Sequence, residues 1–294
     1  YHLNALKKLG MKYEIKKGYI YANTKGKLEG AKIRFSKISV GATENTIIAA
    51  CLANGITTLR NCAIEPEIVD LINFLKSGGA KIKFVGKRTL KIEGIKSLKS
   101  TSYSVMSDRI EAGTFCVAAC LTGGNLKINN LYPKVIKTEL TLLKKVGAKI
   151  KTTKKQIHII GPKKIKNISN LVTKEYPDFP TDLQAQFMVL LCKAKGKSSI
   201  TESIFENRFM HVAELRRLGA EIIIKKNKAL ILGNTSFKAA ELMSSDLRAS
   251  VALVLAAMVA KGSSIINRIY HLDRGYENIE NKLRKVGVNI KRIS

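Results

Sequence analysis

A segment that recurs five times restricts the fold of this chain more than any other feature of its sequence. Each copy reads as the end of an amphipathic helix, then a glycine, then a strand: LKKLGMKYEI, LKSGGAKIKF, LKKVGAKIKT, LRRLGAEIII and LRKVGVNIKR. Successive glycines of these copies are separated by 69, 68, 72 and 68 residues, and so regular a period of about 69 indicates repeated structural units. Each glycine stands where a helix would end in a left-handed C-cap. The five are Gly10, Gly79, Gly147, Gly219 and Gly287.

The sequence between these copies is repeated as well. Four small-residue apolar helices are predicted, in SVGATENTIIAACLANG, SDRIEAGTFCVAACLTGG, TDLQAQFMVLLCKAKG and SSDLRASVALVLAAMVAKG. Each is followed by a short strand, a second, amphipathic helix and a lysine-rich hairpin, so the unit is helix, strand, helix, two strands. Because the first helix is apolar nearly all round, it should be buried, with sheets outside it. The fold class is therefore α/β.

A buried helix can carry charge only at an end that reaches solvent or a cleft, and here that is the N-terminal end. Asp108, Asp182 and Asp246 lie at this position in three of the units, where free backbone N–H groups suit a capping carboxylate or a bound anion. Thr181 and Gln184 also match the pattern of a capping box. Arg109 and Arg248 follow two of the aspartates and would supply cations for a small anion. Helix caps and a shared anion site both remain open.

The composition limits the classes of partner that this chain could bind. A formal charge of +30 is typical of many nucleic-acid-binding proteins. Here, however, most of the positive charge comes from lysines in hairpins, and there is no arginine-rich arm. We expect lysine-biased surface usage with charge concentrated only at a substrate cleft. No apolar run is long enough for a membrane span and no signal sequence is evident, so a cytoplasmic protein is expected. The cysteines and histidines lack metal-ligand spacing, and no metal or cofactor is expected.

The two ends of the chain are incomplete relative to the repeat. Residues 1–30 hold only a helix end and a hairpin, and the last unit stops at VNIKRIS without its second hairpin strand. The chain therefore looks cut at its front.

Seven motifs carry a family resemblance: KISVGAT, EPEIVD, SDRIEAGTF, FPTDLQAQF, IFENRFMH, SDLRAS and IYHLDRGYENIENKL. In this order they resemble the UDP-N-acetylglucosamine 1-carboxyvinyltransferase family of enolpyruvyl transferases, over the whole chain. The resemblance implies an inside-out α/β barrel of three units per domain, with helix N-termini facing an interdomain cleft. Residues 1–106 would be the later part of the first domain, and 107–294 nearly all of the second. The family's loop with the catalytic cysteine would belong to the missing front, so this chain alone is expected to be inactive.

The resemblance also implies a reaction and a set of roles. Enolpyruvyl passes from phosphoenolpyruvate to the 3′-hydroxyl of UDP-N-acetylglucosamine, and phosphate leaves. Asp182 matches the carboxylate at the attacking hydroxyl, and Asp246 a second active-site carboxylate that handles a proton or orients Arg248. The resemblance assigns phosphoenolpyruvate to three arginines, Arg208, Arg248 and Arg274. It assigns contacts with the nucleotide sugar to a second set: Lys37, Ile38, Ser39, Val40, Gly41, Asp182 and Ile204.

Other interpretations remain at this point. The sister family that transfers enolpyruvyl to shikimate 3-phosphate shares the fold and the chemistry, whereas a basic nucleic-acid-binding repeat protein would show one continuous basic stripe. A degraded paralogue would keep the fold without activity. The resemblance favours a monomer whose partners are the two small substrates, with no nucleic acid and no membrane.

Overall fold

The computed structural model describes residues 1–293. The chain forms two compact lobes: the first lobe is Tyr1–Met106, and the second lobe begins at Ser107. Their assignment to the two domains of an enolpyruvyl transferase stays a prediction at this stage.

In three of the units the helices and strands follow the predicted order of helix, strand, helix and two strands, but a further, unpredicted strand precedes three of the four apolar helices. The helices of the described residues are α1 His2–Lys8, α2 Val40–Cys51, α3 Pro66–Ser77, α4 Arg109–Thr122, α5 Lys137–Lys145, α6 Gln184–Cys192, α7 His211–Arg217, α8 Leu247–Met258, α9 Tyr270–Asp273 and α10 Ile279–Lys285, with 3₁₀ turns at Pro133–Ile136 and Thr181–Leu183. The strands are β1 Lys12–Lys16, β2 Tyr19–Asn23, β3 Lys32–Arg34, β4 Ile56–Arg60, β5 Lys81–Gly86, β6 Thr89–Glu93, β7 Asn125–Asn129, β8 Lys149–Thr152, β9 Gln156–Ile160, β10 Leu171–Val172, β11 Ser198–Thr201, β12 Ile222–Lys225, β13 Lys228–Ile231, β14 Glu241–Met243 and β15 Ile265–Asn267.

The sheets repeat one topology. Two four-stranded sheets have the orders β3-β4-β6-β5 and β10-β11-β13-β12, and in each the first pair is parallel and the other two pairs are antiparallel. The sheet β7-β9-β8 has the same core without the parallel strand, and β14-β15 has only the parallel pair. The predicted α/β repeat is confirmed. Its strands form separate sheets, and within residues 1–293 they do not close into one continuous barrel.

The apolar helices of the second lobe are buried, as predicted, whereas in α2 of the first lobe only six of the 12 residues are buried and Ile48 is 50% exposed. All nine residues of α6 are buried, and most of α4 and α8 are too. These three helices pack on one another in the second lobe, and sheets pack against them. Since α6 has no polar face for solvent, burial on every side is the arrangement that its sequence permits.

The repeated glycines adopt the predicted backbone conformation. Their φ values lie between 94° and 111°, a left-handed region that costs little for glycine and much for residues with a Cβ atom. Each glycine therefore ends a helix, and after the first four the chain enters a strand; no strand follows Gly287 within residues 1–293, so the strand predicted for the fifth copy is not formed. The residues concerned are Gly10, Gly79, Gly147, Gly219 and Gly287.

The cysteines, the helix lengths and the lysine distribution can be compared with what the composition predicts. All five cysteines are buried and unpaired, and burial raises the pKa of the Cys51 thiol to about 11, as expected for core packing. No helix of residues 1–293 is both long and apolar enough to cross a membrane. Lysines also gather outside the hairpins, in a depression by the C-terminal ends of α4 and α6 lined by Lys163, Lys164, Lys193 and Lys195.

Candidate active site

Asp182 lies in the 3₁₀ turn that precedes α6, and its carboxylate binds two arginines. Its Oδ1 atom accepts hydrogen bonds from Nη2 of Arg208 at 3.0 Å and from Nε of Arg248 at 3.2 Å. Arg248 belongs to the first turn of α8, and Arg208 to the loop before α7. The structure therefore brings together three residues that are far apart in the sequence and that the resemblance assigns to one site.

The second oxygen of this carboxylate remains available. No residue of the described chain donates a hydrogen bond to Oδ2 of Asp182, and the side chain is 37% exposed. An ionised carboxylate offers about four acceptor positions in total. One oxygen of Asp182 thus fixes the group in place, while the other can receive a proton from a bound molecule.

Asp108 and Asp246 use their carboxylates differently, because each caps a helix. Asp108 Oδ1 accepts from the backbone N–H groups of Ile110 and Glu111 at the start of α4. Asp246 Oδ1 accepts from those of Arg248 and Ala249 at the start of α8, both at 2.9 Å. The capping interpretation is confirmed for these two. By holding the backbone of Arg248, Asp246 also fixes the origin of that side chain.

The cap prediction is wrong for the third copy. At α6 the residues before the helix make no side-chain cap bond, because the 3₁₀ turn after Pro180 carries Asp182 away from the capping position. The predicted capping box is absent too: the Thr181 hydroxyl donates to Glu202 Oε2 at 2.8 Å. The Gln184 side chain is buried and has no hydrogen-bond partner among the described residues.

Arg248 is held in a partly buried position. Burial acts to lower the pKa of its guanidinium, but Asp182 first, then Tyr276 and Asp108, raise it, and the net pKa shift is upward. Because only Nε is bonded to Asp182, the two terminal nitrogens of this forked donor remain for an anion. Arg248 is therefore a charged side chain that is already oriented and has donors available to an anion.

A buried network of hydrogen bonds contacts the backbone carbonyl of Asp182. The sequence analysis did not predict this network. The Tyr276 hydroxyl lies 2.8 Å from Thr114 Oγ1, and Gln186 Nε2 donates to Thr114 Oγ1 at 3.2 Å and to the Asp182 carbonyl at 3.0 Å. Burial raises the pKa of Tyr276, which keeps it a neutral hydroxyl. Threonine and glutamine within otherwise apolar helices are the sequence signal that could have revealed this network.

Arg109 does not join this site. Its side chain is buried, lies 3.7 Å from Glu139 and stacks over the ring of Tyr176. The expectation that it supplies a cation for a small anion is therefore wrong, because its charge is already used inside the lobe.

Two other expected residues have different surroundings. Arg274 follows α9, is exposed, and makes no hydrogen bond or ion pair with any residue of the described chain. Ile204 is half-buried in the loop that carries Arg208, and its backbone N–H donates to Glu202 Oε1 at 2.9 Å. Ile204 therefore lies in the same loop as Arg208. Arg274 makes no bond to Asp182.

In the first lobe, the predicted nucleotide-sugar segment forms the start of α2. Ser39 is the N-cap, and its Oγ atom accepts from the backbone N–H of Ala42 at 3.4 Å. Lys37 and Val40 are exposed, while Ile38 and Gly41 are half-buried. A lysine beside a helix N-terminus, with small residues at its first turn, suits a phosphate group.

His211, at the start of α7, should make stability depend on pH. Burial lowers the pKa of its imidazole to about 4, Asp246 raises it and Arg208 lowers it further. Unfolded histidine titrates near about 6.5, so between these two values the unfolded state binds more protons, and the free energy of unfolding falls as the pH falls. The slope from this group approaches about 1.4 kcal/mol per pH unit. We expect His211→Gln to flatten the loss of Tm between pH 6.5 and 4; equal slopes in the wild type and the variant would contradict this assignment.

The chain is similar to known proteins over nearly its whole length. Residues 1–283 match the family described as EPSP synthase (3-phosphoshikimate 1-carboxyvinyltransferase). The chain is 65% identical over 293 residues to the UDP-N-acetylglucosamine 1-carboxyvinyltransferase of Pelagibacter ubique, covering all of this chain and 70% of that protein. It is 48% identical to the Pseudoalteromonas atlantica protein of that name, covering 99% and 70%. Among solved structures, the enolpyruvyl transferase NikO from Streptomyces tendae has a TM-score of 0.88 at 23% identity, covering 98% of this chain and 71% of that one.

Proposed function

Because this chain belongs to the EPSP synthase family, among its members called UDP-N-acetylglucosamine 1-carboxyvinyltransferase, we propose that the full-length protein transfers enolpyruvyl from phosphoenolpyruvate to the 3′-hydroxyl of UDP-N-acetylglucosamine. Inorganic phosphate is the second product. This transfer is the first committed step of peptidoglycan synthesis. The same proposal makes the protein a cytoplasmic monomer without a cofactor.

The arrangement around Asp182 is the observation that carries the assignment of roles. Two guanidinium groups bind one oxygen of the carboxylate, and the other oxygen accepts no bond from the described residues. Cations for a small dianion and an acceptor for a hydroxyl proton therefore lie within one hydrogen-bonded group. An addition and elimination in which a hydroxyl loses its proton and phosphate leaves depends on this combination of positioned charge and a positioned base.

Binding of phosphoenolpyruvate is the first task. We assign Arg208 and Arg248 to its phosphate and carboxylate groups, because a planar guanidinium matches both anions with paired donors. Arg274 would complete the set: it is exposed and lacks a bond to any other described residue, so its full charge is available to a ligand.

Addition and elimination follow. Asp182 Oδ2 accepts the proton of the sugar hydroxyl while the hydroxyl oxygen forms a bond to C2 of phosphoenolpyruvate, and the methylene carbon gains a proton. The resulting tetrahedral intermediate then loses a proton from that methyl group, the C2–O bond to phosphate breaks, and the double bond is restored. We assign no residue of this chain to protonation of the methylene carbon. Asp246 orients Arg248 throughout.

Residues that the resemblance implies would contact the nucleotide sugar. Lys37 and the helix start that includes Ser39, Val40 and Gly41 suit its phosphates, as anions favour the N-terminal end of a helix. Ile38 and Ile204 would supply apolar contacts, and both are half-buried in this structure.

Substrate-dependent stabilisation and product formation test the function together. The full-length protein should release phosphate from phosphoenolpyruvate only when UDP-N-acetylglucosamine is present, with an enolpyruvyl ether detected by mass spectrometry. UDP-N-acetylglucosamine should also raise Tm, because a ligand that binds only the folded state stabilises it. Stabilisation and turnover with shikimate 3-phosphate instead would overturn the choice of substrate. A response only to duplex or single-stranded nucleic acid would overturn the class.

A further inference from the structure

Glu202 is a buried carboxylate whose hydrogen bonds converge on the candidate site. It directly follows β11 and is 3% exposed. Its Oε1 atom accepts from Thr173 Oγ1 at 2.9 Å and from the backbone N–H groups of Ile204 and Phe205 at 2.9 and 3.1 Å. Its Oε2 atom accepts from Thr181 Oγ1 at 2.8 Å.

These four bonds define what Glu202 can do. A carboxylate has about four acceptor positions, and protein donors occupy a matching number here. A buried carboxylate is tolerated only when it is satisfied in this way. Glu202 is therefore not available to a substrate, and its influence on any bound molecule must pass through the groups that it holds.

The groups that it holds lie on both sides of the Asp182–Arg208 bond. Thr181 immediately precedes Asp182. Phe205 belongs to the loop that carries Arg208, and the guanidinium of Arg208 lies 5.0 Å from the centroid of the Phe205 ring. One side chain thus ties the backbone of the loop to the turn that presents the carboxylate.

We propose that Glu202 is a positioning residue that fixes the Arg208 loop against the Asp182 turn, and so sets the geometry of both groups for the reaction. This inference rests on the function proposed above. Without the carboxylate, the loop would lose the acceptor for two of its backbone N–H groups, the Asp182 turn would lose the acceptor for the Thr181 hydroxyl, and Arg208 would lose its fixed distance to Asp182. A displacement of about 1 Å in catalytic groups can cost about 100-fold in rate.

Three variants of the full-length protein test this role. Glu202→Ala should lower kcat/KM for phosphoenolpyruvate by about 100-fold. Glu202→Gln should restore most of it, because its carbonyl can still accept from both backbone N–H groups, and the Thr181 hydroxyl can rotate to accept from its amide. Thr181→Val removes only one of the four bonds and should give an intermediate loss, which keeps the test usable if Glu202→Ala folds poorly.

Glu139→Gln is the matched control, since Glu139 is also 3% exposed in the second lobe but pairs with Arg109. It should lower Tm while kcat/KM stays unchanged. Comparable losses of kcat/KM in Glu139→Gln and Glu202→Ala, or no rescue by Glu202→Gln, would show that Glu202 acts only on stability and would overturn the inference.

A readout independent of activity separates this inference from the proposed function. In hydrogen-exchange mass spectrometry, Glu202→Ala should lose protection at the amides of Ile204 and Phe205, while peptides of α4 keep theirs. If the wild type transfers no enolpyruvyl, the proposed function fails. Lost protection in Glu202→Ala would still establish that Glu202 holds the Arg208 loop. Protection that stays at the wild-type level in Glu202→Ala would contradict the proposal that Glu202 holds the Arg208 loop, whatever the activity.

Discussion

Asp182→Asn should lower turnover by roughly two to four orders of magnitude, the usual contribution of a positioned acid or base. The amide is nearly isosteric, and its carbonyl oxygen can still accept the bonds from Arg208 and Arg248 that Oδ1 accepts now. At the position of Oδ2, however, it presents an N–H₂ group that cannot take a proton. The loss should therefore appear in kcat, with binding of UDP-N-acetylglucosamine largely kept.

Turnover, calorimetric binding and Tm measured on one preparation decide this prediction. Asp108→Asn is the control, because that carboxylate caps α4 and is assigned no proton transfer. It should lose at most about 1 kcal/mol of stability and keep its turnover. Near-normal kcat in Asp182→Asn would refute the base assignment.

Arg248→Ala should raise KM for phosphoenolpyruvate by about 10- to 100-fold, which corresponds to a hydrogen bond to a charged group. Its Nε atom holds Asp182, so two functions are lost together: an anion ligand and one of two anchors of the base. Arg248→Lys should be nearly as defective, because an ammonium group cannot hold Asp182 and present a planar pair of donors at once.

Steady-state kinetics with each substrate varied in turn measure this effect. KM for UDP-N-acetylglucosamine should change far less than KM for phosphoenolpyruvate. Arg217→Ala, on the exposed face of α7, serves as the control and should behave like the wild type. An Arg248→Lys variant with wild-type KM for phosphoenolpyruvate would contradict the forked-donor argument.

The sequence predicts the repeat, the buried helices of the second lobe and the C-cap glycines correctly because each depends on local pattern. The apolar run of α6 and the left-handed glycine Gly219 follow from periodicity and backbone sterics alone. Family motifs supplied the roles that we propose for Asp182, Arg208 and Arg248. The structure adds that these three side chains form one bonded group.

What could not be predicted depends on tertiary pairing and on one local break in the pattern. Thr114, Gln186 and Tyr276 form their network across three segments of the chain, and no local rule pairs them. Periodicity places Asp182 at a helix cap, but the 3₁₀ turn after Pro180 removes it from that position. Glu202 has no sequence signal beyond being a charged residue after a strand, since its partners include backbone groups.

The different starts of α4, α6 and α8 have a further consequence. The three copies obey an approximate pseudo-symmetry, in which a carboxylate neutralises the free N–H groups at the head of each buried helix. That pseudo-symmetry is broken once, at α6, and the carboxylate that is freed from the helix is the one that two arginines bind. Chemistry in such an assembly is therefore expected at the copy that departs from the others. In other chains built from repeats, the copy with a missing cap is the first place to look for a reactive group.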